Sequence, residues 1–301
     1  MKNRESAIKF IPIIIATILW GFSFIWTNQL LQNQIPVFTI IFIRLSLAAI
    51  ILSTVSIFLK QLQKIERKDI PWFLMLVFCE PFMYFIGETF GLKAVNSPTI
   101  GAIIVATIPV FSMIAGIYFY KERISKINIL GILMTLPGIL LVVLENGWDT
   151  KVSLNGILLL FLAVFSATGY SVVVRRLSDK YNSYTIVSFQ NIIGAIYFLP
   201  LFLIYNGKGF SFERILSIKF IYPILALAAL CSVLAFVFFV NSIRVLGVAR
   251  TNFFSSLIPA VSAAGAYMLG QEGMSYTKAI GIVVVIIGVI IAQRDKKSNL
   301  T

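Results

Sequence analysis

Four residues recur at one fixed spacing in this chain: Pro109, Glu122, Gly131 and Gly138, and again Pro259, Glu272, Gly281 and Gly288. Both sets step by 13, 9 and 7 residues, and the second follows the first by 150 positions. Each proline lies in an apolar run, each glutamate in the short polar break after it, and the glycines in the next apolar run. Ser112 and Gly116 in the first copy answer to Ser262 and Ala266 in the second. A single proline–glutamate pair would carry no information. Four matches without a gap mark an internal repeat, and a repeat dictates architecture before any residue-level reading. The chain reads as a duplicated unit, residues 1–150 and 151–301, with its seam in Glu145–Asn155.

What kind of unit is duplicated follows from its apolarity. Hydrophobic residues make up 59% of the chain and charged residues 12%, with a mean hydropathy of +0.94; a soluble domain carries about 25% charged residues. Apolar runs repeatedly reach the ~20 residues that a helix needs to cross a bilayer core. Ten spans follow: Phe10–Asn28, Pro36–Phe58, Ile70–Leu92, Pro98–Tyr118, Ile127–Leu144, Leu154–Val174, Tyr184–Tyr205, Ile218–Val240, Thr251–Leu269 and Thr277–Ala292. The breaks between them are short and hold turn formers such as Asn96-Ser97-Pro98 and Asn206-Gly207. A basic start ahead of an apolar run has the look of a signal peptide. No small-x-small cleavage pattern follows, however, and the run continues through Trp20–Trp26, so it reads as a retained first span. The expectation is an all-α integral membrane protein of ten transmembrane helices.

A formal charge of +13 could point to nucleic acid or an acidic partner, but counting along the chain gives a plainer reason. With the N-terminus in the cytoplasm, eighteen Lys and Arg fall in inner segments and six in outer ones, and Arg44 lies inside a span. Cytoplasmic loops collect basic residues, so this asymmetry places both termini inside and removes the need for a nucleic-acid partner. Each half then holds five spans, and an odd number forces the second half to enter the membrane inverted. Inverted repeats are common in transporters, with the substrate site near the midplane between them. Cys79 and Cys231 fall within spans without ligand spacing nearby and read as small buried residues. Histidine is absent, which removes the commonest metal ligand and proton shuttle. No metal or cofactor is expected.

Chemistry is sought among the polar residues inside the spans. Glu80 and Glu88 share the third span, and an intramembrane carboxylate costs roughly 2.5 kcal/mol or more near a helix centre, so it faces a wet cavity or a partner. Eight residues turn a helix about 80° past two full turns, which lets both carboxylates view one cavity. Pro81 weakens the hydrogen-bond ladder beside them. The functional reading gives one of them a proton to carry or a substrate amine to pair with. The bland readings are an ion pair between Glu80 and Arg44, and simple exposure of Glu88 at the outer mouth. Arg44 could instead brace the bundle, snorkel, or bind a substrate carboxylate. Trp20, Ser23, Tyr84, Thr107, Tyr170, Asn241, Asn252 and Ser255 are further candidates to line a cavity with aromatic walls and a few polar groups. Each could equally fill the core or bond a neighbouring helix. Glu122 and Glu272 read as structural carboxylates at the starts of the helices that follow them, and Ser112, Gly116, Ser262 and Ala266 as small packing residues.

Two five-helix halves, Leu-Trp-Gly-Phe-Ser-Phe in the first span, Phe-Ile-Arg44 in the second and the repeated Pro…Glu…Gly…Gly pattern resemble the drug/metabolite transporter superfamily in its EamA-like branch. The resemblance spans essentially the whole chain. It implies a secondary carrier of the bacterial inner membrane that exports amino acids, related metabolites or drugs. Its central cavity would be lined mainly by the first, third, fourth, sixth, eighth and ninth helices, which gives Trp20, Tyr84 and Tyr170 more weight. Protons are the candidate coupling ion, membrane lipid the surrounding partner, and the assembly a monomer or homodimer. The second half departs from the pattern: Ala167-Thr168-Gly169 stands in place of the Trp-Gly motif, and Gln190 in place of the arginine.

The rival from another class is a membrane-embedded enzyme acting on lipid or lipid-linked substrates. It would need a nucleophile–base pair, a metal cluster or a phosphate loop, and no HExxH, CxxC or GxxxxGK[ST] pattern is present. A channel or structural protein would lack saturable flux. The sequence favours the carrier.

Overall fold

The computed structural model describes residues 8–144, 153–206, 218–270 and 273–292; Glu272 and most of the Glu145–Asn155 seam lie outside them. The described residues form helices in the order α1 (Ile11–Gln32), α2 (Val37–Phe58), α3 (Ile70–Val77), α4 (Tyr84–Val95), α5 (Pro98–Val105), α6 (Ile108–Tyr120) and α7 (Lys126–Leu144). There follow α8 (Leu154–Ser178), α9 (Ser183–Asn206), α10 (Ile218–Leu225), α11 (Ala235–Leu246), α12 (Val248–Asn252), α13 (Ile258–Met268) and α14 (Tyr276–Ala292). Among the described residues six stretches are long and apolar enough to cross a membrane: Ile11–Gln32, Val37–Phe58, Arg67–Val95, Leu154–Ser178, Ser183–Tyr205 and Phe220–Leu246. Shorter apolar helices lie at Ile108–Tyr120, Lys126–Gly138 and Tyr276–Ala292.

Two of the ten expected spans, the fourth and the ninth, divide into separate half-helices near the repeated prolines. A proline has no amide proton and its ring collides with the carbonyl four residues back, so in a helix interior it favours a kink or a break, although α7, α9 and α10 carry Pro137, Pro200 and Pro223 within them. The run expected at Pro98–Tyr118 divides into α5 and α6 at Ala106-Thr107, and the run expected at Thr251–Leu269 divides into α12, a 3₁₀ stretch at Phe253–Leu257, and α13. Pro109 and Pro259 sit in the first turns of α6 and α13, where the missing N–H costs nothing. At the first break the Thr107 hydroxyl donates to the Ile104 carbonyl at 2.7 Å; at the second the Ser255 hydroxyl donates to the Asn252 carbonyl. Side chains thus absorb carbonyls that the broken ladders release.

The third and eighth spans are interrupted in another way. α3 passes into α4 through a π-helical stretch at Phe78–Met83, and α10 into α11 through one at Ala226–Leu234. Within the first, Glu80 is extended (φ −148°, ψ 120°), just before Pro81.

The repeated glycines meet across one helix pair. A Cβ on Gly131 would lie 2.2 Å from the Ala292 nitrogen and 2.7 Å from the Gly288 carbonyl oxygen, and one on Gly138 would lie 2.8 Å from the Gly281 carbonyl oxygen. Only glycine permits this approach. Rising numbers on α7 meet falling numbers on α14, so the two helices run antiparallel. α2 and α9 also run antiparallel: Phe38 packs on Tyr205, Phe42 on Phe202, and the Ser56 hydroxyl on that of Ser188. The remaining contacts come in matching sets. α4 packs on α8 as α11 packs on α1, α6 on α8 as α13 on α1, and α2 on the second π stretch as α9 on the first.

Candidate functional site

Both interrupted spans in each half converge on one buried cavity of about 40 Å³. That is room for roughly three waters. α1 contributes Thr17, Trp20, Ser23 and Phe24; α2 contributes Arg44; the first π stretch and α4 contribute Glu80, Tyr84, Phe85 and Glu88. Across from them stand Ser171 of α8, Phe236 and Phe239 of α11, and Thr251, Asn252 and Ser255 around the second break. Val105, Ile108 and Ile258 bring the ends of the half-helices to the same wall. The structure therefore brings together Trp20, Ser23, Arg44, Glu80, Tyr84, Glu88, Asn252 and Ser255, eight of the eleven residues named as candidates to line a cavity.

The other three sit elsewhere. The Thr107 hydroxyl is used at the α5–α6 break. Tyr170 is buried one residue short of the wall; its hydroxyl donates to Gln190 Oε1 at 2.6 Å and its ring meets Phe236 edge-on. Asn241 is exposed near the end of α11. Thr17, Phe85, Ser171, Phe236, Phe239 and Thr251 line the cavity without having been singled out. Helical spacing offered a signal for some of them: Thr17 lies one turn before Trp20 on the same face, and Phe236 and Phe239 are one turn apart.

Arg44 is 5% exposed, and no ion pair with Glu80 forms. Among the described residues no carboxylate oxygen comes within 4.0 Å of its nitrogens. Its Nε donates to the Ser232 hydroxyl at 2.6 Å, and its guanidinium lies over the Phe85 ring at 4.3 Å from the centroid. Arginine suits this place because its planar, weakly hydrated cation stacks on an aromatic face. The π stretch that supplies Ser232 is held from α1 and α9 as well. Trp20 Nε1 donates to the Cys231 carbonyl at 3.2 Å, and the Asn191 amide donates to the Ser232 carbonyl at 3.4 Å.

The two carboxylates are held differently. Glu80 faces the cavity from the extended turn, 6% exposed, and no protein hydrogen bond reaches its carboxylate among the described residues. Glu88 is 4% exposed, so exposure at the outer mouth does not describe it. Tyr84 donates to its Oε1 at 3.4 Å, while its Oε2 is buried without a partner among the described residues. The opposite wall is polar through Asn252, whose amide donates to the Ser171 hydroxyl at 3.0 Å and to the Val248 carbonyl at 2.9 Å.

Glu122 lies outside the cavity and caps a helix, but not the one that follows it. Its carboxylate accepts the amides of Val248 at 2.6 Å and Ala249 at 2.9 Å, at the N-terminus of α12 in the opposite half. Gly247 precedes them with φ +89°, and a Cβ there would fall 2.7 Å from Glu122 Oε1. An offset of 150 places Ser97 and Pro98 opposite Gly247 and Val248. Pro98 has no amide to offer, and Ser97 instead caps α5 by accepting from the Ile100 amide at 3.2 Å. Glu272, the repeat counterpart of Glu122, lies outside the described residues.

A family described as the EamA-like transporter family matches residues 8–144 and again 154–293. The chain belongs to the EamA-like transporter family. Among its relatives, the uncharacterized transporter YetK of Bacillus subtilis (strain 168) is 23% identical over 90% of this chain and 82% of its own length. The uncharacterized transporter YcxC of the same organism is also 23% identical, over 96% of this chain and 94% of its own. A solved crystal structure at 15% sequence identity superposes with a TM-score of 0.73, covering 92% of this chain and 97% of the other. The chain thus shares the fold of that structure and the membership of a transporter family rather than an enzyme family. An EamA-like protein is a multi-pass membrane protein whose substrate is a small molecule.

Proposed function

We propose that this protein is a secondary transporter that exports a small metabolite, an amino acid or a related compound, or a drug, across the bacterial inner membrane by alternating access. The observation that carries this reading is the convergence of two broken spans, two buried carboxylates and one buried arginine on a single cavity. Helices broken at the membrane midplane, with their ends turned toward a shared site, are how many carriers hold their substrates. The chain crosses the membrane ten times in two inverted five-helix repeats, residues 1–150 and 151–301, with both termini in the cytoplasm. The antiparallel runs of α2 against α9 and α7 against α14, and the matching contact sets, support that symmetry.

Within this reading the aromatic wall of Trp20, Phe236 and Phe239 receives the apolar part of the substrate. Arg44 and Glu80 stand ready for its carboxylate and amine. Glu80 carries the coupling proton, because its carboxylate faces the cavity without a protein partner. With room for about three waters, the cavity must widen to admit an organic molecule, and rocking of one half against the other supplies that movement.

The test is transport by purified protein in liposomes loaded with a pH-sensitive dye, challenged with amino acids, amines and toxic dyes, comparing wild type with Glu80→Gln. Proton movement driven by one substrate class and lost in the variant is the expected outcome. Substrate flux with unchanged proton movement in Glu80→Gln would refute the assignment.

A further inference from the structure

A second hollow lies at one end of the helix bundle, away from the central cavity. It measures about 420 Å³ and is lined by Arg123 in the α6–α7 turn, Arg175 in the last turn of α8, Arg244 in the last turn of α11 and Arg250 in α12. Glu122 is the one carboxylate on its wall, and both of its oxygens are taken by the Val248 and Ala249 amides. Arg175 pairs with Asp179 at 3.2 Å and donates to the Arg244 carbonyl at 3.2 Å. Among the described residues no carboxylate comes within 4.0 Å of Arg123 or Arg244. An excess of basic residues at one end of a membrane protein is ordinary. Four arginines from four separate segments around one concave pocket are a more specific arrangement.

We propose that this pocket binds the phosphate group of an anionic phospholipid. Guanidinium forks match phosphate oxygens in pairs of parallel hydrogen bonds. Basic pockets between helices at the cytoplasmic end are suited to anionic headgroups. The rim supports a lipid over a soluble phosphate: Val245 lines the pocket and is 57% exposed, and Tyr118 and Phe119 just before it on α6 are 70% and 60% exposed. An acyl chain can lie against that apolar border while its phosphate enters the pocket. The bound headgroup ties the α6–α7 turn to α8 and α11. The proposal takes from the transport reading only that this end faces the cytoplasm, and its test does not require transport.

The experiment uses the full chain in nanodiscs of phosphatidylcholine alone or mixed with phosphatidylglycerol, with Tm as the readout. Wild type is expected to gain a few degrees with phosphatidylglycerol, and Arg123→Gln/Arg244→Gln to lose that gain while matching wild type in phosphatidylcholine. Lys60→Gln/Lys64→Gln, which removes two exposed charges at the same end outside the pocket, is expected to keep it. A full gain in the arginine variant, or an equal loss in the lysine variant, would overturn the proposal. A gain with inorganic phosphate in phosphatidylcholine discs equal to that with phosphatidylglycerol would overturn the lipid source in favour of a soluble phosphate. Should the arginine variant be unstable, native mass spectrometry on Arg123→Lys/Arg244→Lys decides. This pair keeps both charges without the planar forks, and phosphatidylglycerol should be retained less often than on wild type; equal retention would count against the site.

Discussion

Glu122 accepts the amide proton of Val248 at 2.6 Å from 126 residues away in sequence. The same carboxylate takes the next amide, so one side chain from the first half closes the start of a broken span in the second. A helix N-terminus carries unsatisfied amides and a partial positive charge, and a carboxylate answers both.

Replacing Glu122 with alanine removes two hydrogen bonds to a charged acceptor, each contributing about 1.5–3 kcal/mol. The Tm of the purified protein should fall by several degrees, with Glu122→Gln intermediate because its amide keeps a single acceptor oxygen. Gly247→Ala should also destabilise, since its Cβ would collide with the same carboxylate at a positive φ. Thermal unfolding in one detergent checks all three.

Glu80→Gln and Glu88→Gln should separate in their effects. Glu80 loses no protein hydrogen bond on substitution, so Tm should hold while proton-coupled flux is lost. Glu88→Gln keeps an acceptor for the Tyr84 hydroxyl and fills the place of the unpartnered Oε2 with an amide group that can only donate. It should leave flux measurable and change the unfolding free energy by about 1 kcal/mol or less in either direction, seen as a small shift in Tm. Paired Tm and liposome flux measurements test the contrast.

The α7–α14 contact should tolerate no added side chain. Gly131→Val places new atoms against the Ala292 backbone, which cannot yield as a side chain can, and should abolish accumulation of folded protein in the membrane. Gly273→Ala is the control, because nothing among the described residues lies within 4 Å of its Cβ position. Expression and gel-filtration profiles of the two variants should differ accordingly.

Outside the membrane segments, Lys180 joins the 60s turn to the end of α8 through Asp69 at 2.6 Å and Glu66 at 2.5 Å. Its hydrogen bonds to Asp69 and Glu66 hold the Lys180 ammonium above its usual range, and hydrogen bonds from Lys180 and Lys68 hold Glu66 below the usual carboxylate range. The depressed carboxylate contributes stability above its unfolded pKa and loses it as pH falls through the folded one; the raised lysine contributes below its unfolded pKa and loses it as pH rises. Stability from this pair should be flat near neutral pH and weaken at both extremes. Lys180→Gln should flatten both limbs slightly, and added salt should shrink the difference, because these charges are exposed. Tm against pH at two ionic strengths measures it.

Much of the site was legible residue by residue, yet its wiring was not. Glu80, Glu88 and Arg44 stand out in any apolar run, because a charge there is costly wherever it falls. Their partners do not stand out: Ser232 is 188 residues from Arg44, and nothing in either segment names the other. The ion pair weighed as the alternative reading of Arg44 and Glu80 does not form: Arg44 donates to Ser232 of the π stretch and lies over the Phe85 ring. Glu122 was readable as a helix-capping carboxylate, but the helix it caps is chosen by how two distant segments pack.

Hydropathy and proline chemistry are local, so the sequence by itself determined that the chain is helical, membrane-embedded and duplicated, and that Pro109 and Pro259 hold equivalent places. The tertiary structure alone decided where those prolines break their spans, which helices the glycines bring into contact, and which polar side chains face a common cavity. Those outcomes depend on the relative placement of helices far apart in the chain, and close packing between them, not the propensity of any one segment, sets that placement.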